Sequence, residues 1–137
     1  MQSRVHAYLN FPGTARAAME FYHSIFGGQL NVSTFKEFGM AQDPSDEDKI
    51  MHSVLEADND ISFMGSDVPS YMPQPQATTT LALSGDNKEE LSGYFDKLAD
   101  GGTIQQPLLE SPWGDTFGML TDKFGVDWMV NILAPRA

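Results

Sequence analysis

At 137 residues with 41% hydrophobic composition, the chain has the size of one domain and enough apolar material for a core, and its 20% charged content is too low for a disordered polymer. It has no cysteine, which excludes disulfides, thiolate metal sites and cysteine nucleophiles, and its net charge of −11 repels phosphate polymers, which argues against a nucleic acid partner. No segment approaches the ~20 apolar residues of a membrane span, and MQSRVHAYLNF lacks the pattern of a secretory signal, so the chain reads as cytoplasmic with no membrane partner.

The first segment, Arg4 to Phe11, alternates as a strand. Val5, Ala7, Leu9 and Phe11 share one face, and Arg4, His6, Tyr8 and Asn10 the other. Pro12-Gly13 breaks it, Thr14 is the expected helix N-cap, and Ala15 to Phe26 has helical spacing in Ala18, Phe21, Tyr22, Ile25 and Phe26. Gly27-Gly28 stops that helix, and a strand follows from Leu30 to Glu37. Phe38 to Lys49 is polar, acidic and broken by a proline, which predicts a mobile loop. Ile50 to Ala57 and Ile61 to Ser66 predict a hairpin closed by Asp58-Asn59-Asp60. Asp67 to Gln76, with prolines at 69, 73 and 75, reads as a linker.

The order then repeats. Thr78 to Ser84 is strand-like, Asp86 with Glu89 forms a capping box, and Lys88 to Asp100 is helical through Leu91, Phe95 and Leu98. Gly101-Gly102 stops this helix 74 residues after the first glycine pair, and the same offset carries His6 onto Thr80. Strands are predicted at Thr103 to Leu109, Thr116 to Asp122 and Val126 to Leu133, with a turn at Asp122-Lys123-Phe124-Gly125. The fold class is therefore α+β: two βαβββ modules, at 1–66 and 77–137, joined by a linker at 67–76 within a single domain.

If each helix covers the apolar face of its sheet, the other faces carry the chemistry. His6, Tyr8, Asn10, Ser62, Met64 and Ser66 fall there in the first half, and Thr78, Thr80, Ser84, Met129, Asn131 and Leu133 in the second. Curled toward each other, these faces would line a shared cleft suited to a small organic ligand. Trp128 has the opposite parity and is expected in the core.

YLNFPGTARAAMEFYHSIFGGQL (8–30), IMHSVLEADNDISFMGSD (50–67) and WGDTFGMLTDKFGVDWMVNI (113–132) resemble the glyoxalase/bleomycin-resistance, or vicinal oxygen chelate, superfamily, most closely its PhnB-like branch. The resemblance implies paired modules around a cleft, frequent homodimers, and members that are isomerases, dioxygenases, transferases or drug-sequestering proteins. Metal-dependent relatives place one ligand on the first and last strand of each module. Those positions fall here on His6, on Met64 or Ser62, on Thr80, and on Asn131 where relatives have Glu. One imidazole with a threonine, an amide and a thioether or hydroxyl has no carboxylate to balance a divalent ion, so no metal and no other cofactor is expected. The methyltransferase label of some PhnB-like proteins finds no glycine-rich S-adenosylmethionine loop here.

The expected ligand-binding set is His6, Tyr8, Asn10, Met64, Thr80, Trp113 and Asn131, with His6 the best catalytic candidate. His23 is expected exposed. His52 shares a sheet face with Glu56 about 13 Å away, too far to share a metal, and reads as structural. Trp113, between Pro112 and Gly114, either stacks on a planar ligand or packs on a second subunit or the rim. The expected function is binding of a small organic molecule without the glyoxalase I metal centre. The alternatives are a metal-dependent lyase or transferase of the same superfamily using His6 with a divalent ion, and an assembly module that mainly builds a dimer.

Overall fold

The computed structural model describes residues 6–57, 61–72 and 80–134. The chain divides into two compact units, residues 1–76 and 77–137. In the first, β1 (Ala7–Phe11) is followed by α1 (Ala15–Phe26), β2 (Gln29–Thr34), a 3-10 turn at Pro44–Asp46, β3 (Ile50–Glu56) and β4 (Ser62–Asp67). In the second, β5 (Thr80–Gly85) leads to α2 (Lys88–Ala99), β6 (Thr103–Glu110), β7 (Thr116–Thr121) and β8 (Asp127–Ile132). The sheet orders are β1-β4-β3-β2 and β5-β8-β7-β6, with the first pair of each sheet parallel and the others antiparallel. The parallel pairs require the long crossovers that the helices supply. Both halves are thus the expected βαβββ units.

Alternation decides which face each helix covers. Leu9, Phe11, Leu55 and Phe63 are buried beneath Met19, Tyr22 and Phe26 of α1, with the Tyr22 and Phe63 rings edge to face at 5.5 Å. Gly65 keeps this face low, since a Cβ there would press on Met19 and Phe11. In the second unit Leu83, Leu120, Trp128, Val130 and Ile132 are buried with Leu91, Phe95 and Leu98. Trp128 is in the core as expected, and its indole N–H donates to the buried carboxylate of Asp122 at 2.9 Å. The same carboxylate accepts from the Phe124 and Val126 N–H groups and so closes the turn between β7 and β8.

The glycine pairs do more than stop helices. A Cβ on Gly28 would fall inside 3 Å of the backbone at Glu56 and Ala57, and one on Gly102 inside 3 Å of Thr121 and Asp122. Each helix end therefore passes directly over the end of a neighbouring strand, which only glycine permits. His23, expected exposed, is half-buried and bonds through Nε2 to the Gly28 carbonyl at 3.0 Å, so its ring sits over the same junction.

Several local expectations are corrected. Thr14 occupies the N-cap of α1, but its side chain makes no capping bond. Asp67, predicted to begin the linker, instead ends β4 as a buried residue. Its Oδ1 accepts from the Gly13 and Ala15 N–H groups at 3.0 and 2.8 Å, and its Oδ2 from the Ile50 N–H at 2.9 Å. The cap of α2 is Asn87, which accepts from the Glu90 N–H, one residue after the predicted Asp86–Glu89 box. β2 stops at Thr34 because Glu37 folds back to accept from the Thr34 hydroxyl.

The acidic loop is anchored where mobility was expected. Asp46 is fully buried and bonds the Ser70 N–H and hydroxyl at 3.0 and 2.8 Å and the Lys49 ammonium at 3.0 Å. Burial pushes its carboxyl upward, but the bonds from Lys49 and Ser70 outweigh this and hold it below the usual carboxylate range. Asp43 is also lowered, by the Ser45 N–H and hydroxyl that cap the 3-10 turn. Arg4 and Val5, the Asp58-Asn59-Asp60 turn, the last part of the linker (73–76) and Thr78-Thr79 lie outside the described residues.

Because three backbone donors converge on Asp67, Asp67→Ala should lower the unfolding free energy by about 3 kcal/mol or more in urea titration. Asp67→Asn should lose less, since its amide oxygen can keep the two Oδ1 bonds. A loss under about 1 kcal/mol for the alanine variant would contradict this assignment.

Candidate functional site

The helix-free face of each sheet carries the predicted residues. In the first unit, strand pairing lines up three rows across that face. The middle row runs Tyr8–Met64–Val54–Asn31, with neighbouring strands ~4.8 Å apart. Asn10 pairs with Ser66 in the next row, where Ser33 and His52 are also opposed. In the row on the other side Glu56 faces Ser62, and the Ser62 hydroxyl lies 3.4 Å from Nδ1 of His6. Tyr8 and Asn10 are exposed, whereas His6, Ser62, Met64 and Val54 are half-buried. His6 itself stands one residue ahead of β1 rather than inside it.

The second unit repeats the pattern with more apolar surface. Ala82, Met129, Met119 and Gln106 form its middle row, flanked by Ser84–Asn131–Phe117–Leu109 on one side and Thr80–Asp127–Thr121–Thr103 on the other. In the last of these rows Gln105 donates to the Thr121 hydroxyl, which donates to Asp127 at 2.6 Å. Thr80 is exposed and Asn131 half-buried beside Phe117. Each face therefore has an apolar centre in its middle row, Met64 and Val54 in one and Ala82, Met129 and Met119 in the other, and in the second face Phe117 and Leu109 extend it into one flank.

Trp113 is placed by a turn. The Ser111 N–H and hydroxyl donate to the Asp115 carbonyl, the Gly114 N–H donates to the Ser111 carbonyl, and Asp115 accepts from the Ala134 N–H beyond β8. Gly114 adopts φ 100°, a conformation that favours glycine. The indole is left 72% exposed over a hollow of about 260 Å³ that Leu109 and Phe117 also line.

Within the first unit, then, His6, Tyr8, Asn10 and Met64 share one face. Within the second, Thr80 and Asn131 share another, and Trp113 stands beside Phe117. Val54, Ala82, Leu109 and Phe117 were not singled out from sequence. Their strand parity carried the signal for Val54 and Phe117, while the two register shifts between β6 and β7 hid Leu109.

The donor chemistry tests the metal centre of the metal-dependent relatives. His6 offers one imidazole, but Met64, Thr80 and Asn131 offer a thioether, a hydroxyl and an amide, a poor set for a divalent ion. Among the described residues, no three His, Cys, Asp or Glu side chains are grouped to hold a metal. The residues present do not fit the group.

Residues 4–130 match the model of the Glyoxalase/Bleomycin resistance protein/Dioxygenase superfamily. The chain is 32% identical over 142 residues to protein YjdN of Escherichia coli K12, covering 92% of each. Among solved structures it is similar to protein PA1353 from Pseudomonas aeruginosa, at 37% identity and TM-score 0.81, covering 98% of this chain and 100% of that one. It is also similar to a PhnB protein from Bacillus cereus, at 30% identity and TM-score 0.73, covering 96% of this chain and 100% of that one.

The two sides of one strand pair predict opposite responses. Tyr8→Ala on the open face should change stability by no more than about 0.5 kcal/mol. Phe63→Ala beneath α1 should cost about 3–5 kcal/mol. Comparable losses in thermal unfolding would mean that the faces are assigned wrongly.

Proposed function

Because the chain belongs to the Glyoxalase/Bleomycin resistance protein/Dioxygenase superfamily, we propose that it binds a small, partly apolar organic molecule on the helix-free faces of its sheets, without the glyoxalase I metal centre. The observation that carries this reading is the composition of those faces. Met64 and Val54 in one unit, and Ala82, Met119 and Met129 in the other, make adaptable apolar centres. Tyr8, Asn10, Ser84 and Asn131 flank them with uncharged hydrogen-bonding groups that can orient a ligand.

His6 adds an imidazole at the edge of this surface, beside Ser62. An imidazole there can donate to or accept from a bound carbonyl or hydroxyl. The poor donors at Met64, Thr80 and Asn131 favour such a hydrogen-bonding role over metal ligation. The exposed edge strand β6, where Ile104 stands open to solvent, supports pairing into a homodimer. No helix among the described residues is long and apolar enough to cross a membrane.

Protein purified without chelator should carry substoichiometric metal by elemental analysis. An added small organic ligand should raise its melting temperature, since a hundredfold excess over Kd stabilises by about 2.7 kcal/mol. Met129→Lys should remove that response while divalent ions alone give none. Stoichiometric metal lost on His6→Ala would instead favour a metal-dependent lyase or transferase.

A further inference from the structure

Charge and shape at one end of the second sheet narrow the ligand class. The hollow beside Trp113 is walled by Leu109, Pro112, Phe117 and the indole, with Gln106 and Glu110 as its main polar groups. At about 260 Å³ it is slightly smaller than a typical drug-sized pocket, the size for one or two fused rings. Leu109 is 65% exposed and Trp113 72% exposed, so two large apolar side chains remain open to solvent. The indole does not hang from a loose segment. The Ser111–Asp115 turn and the Asp115 bond to the Ala134 N–H hold it there, so little ordering cost remains for a ring that stacks on it.

The ionic character of the lining selects among flat ligands. Among the described residues no lysine, arginine or histidine borders the hollow, and the one ionisable group in its lining is the exposed carboxylate of Glu110. The chain as a whole carries a net charge of −11. An aromatic anion would meet repulsion and, among the described residues, no cationic partner, whereas a cation gains from the faces of Trp113 and Phe117 and from Glu110. We propose that this hollow is a subsite for a planar aromatic or heteroaromatic cation of one or two rings. The proposal rests on the small-molecule reading above and names the chemistry of one part of that surface.

Calorimetric titration of the intact chain with 1-methylquinolinium, neutral quinoline and 2-naphthoate tests it. The cation should bind about tenfold more tightly than the naphthoate, a gap within the range of a partly desolvated cation–π contact. Trp113→Ala should abolish binding of the cation, Trp113→Phe should restore part of it, and Glu110→Gln should narrow the gap between cation and anion. An exposed indole is not needed for folding, so all three variants should keep the parent melting temperature. Equal binding of cation and anion, or no binding of the cation, would overturn the proposal. So would binding that survives Trp113→Ala and disappears in Met129→Lys, although that result would leave the wider small-molecule reading intact.

Discussion

Three backbone N–H groups from two separate stretches of the first unit point at one buried carboxylate, that of Asp67. Its oxygens hold the turn into α1 and the start of β3 against the end of β4. A buried carboxylate without such donors would be costly, so the chain must bring them together when it folds. Once β1, β4 and the head of α1 are locked in that relation, the helix lies over Leu9, Phe11 and Phe63. Tyr8, Asn10 and Met64 are then left on the opposite side. The candidate surface of this unit thus follows from a residue that is not on it.

The two units reach one topology by different local means. Asn87 caps its own helix from the adjacent position, whereas Thr14 leaves that work to Asp67, more than fifty residues away in sequence. What the halves share is the close passage of each second glycine over a strand end, Gly28 over Glu56 and Gly102 over Thr121. Side-chain identity at the caps is free to drift, because any acceptor in place will serve. Backbone contact leaves no room for a Cβ and so keeps its glycine.

Alternation in β1, β4, β7 and β8 made the strands and their faces legible, because one side of each is buried and a one-residue slip would invert it. The helices were legible from their apolar stripes and glycine stops. Asp67 and Asp46 were not. An acidic residue beside prolines, or inside FGMAQDPSDEDK, looks solvated from local composition, and only distant partners such as Ile50 and Ser70 make it structural. Site legibility divides in the same way. Parity placed Tyr8, Met64 and Asn131 on open faces, and Pro112 and Gly114 marked Trp113 as a loop residue. The hollow at Trp113 depends on Leu109, whose orientation follows the register shifts of β6, and shifts of that kind have no local sequence signature.

The central claim is that ligand binding occurs on the helix-free faces, and methionine reports on both sides of the sheets. Met64, Met119 and Met129 lie on the open faces, while Met19 is fully buried in α1 against Gly65. Methyl NMR of [13C-methyl]methionine-labelled protein during titration with a bound small molecule separates them. Shifts at Met64, Met119 or Met129 with Met19 unmoved are the predicted result, and shifts confined to Met19 or to the exposed Met40 and Met72 would contradict the account.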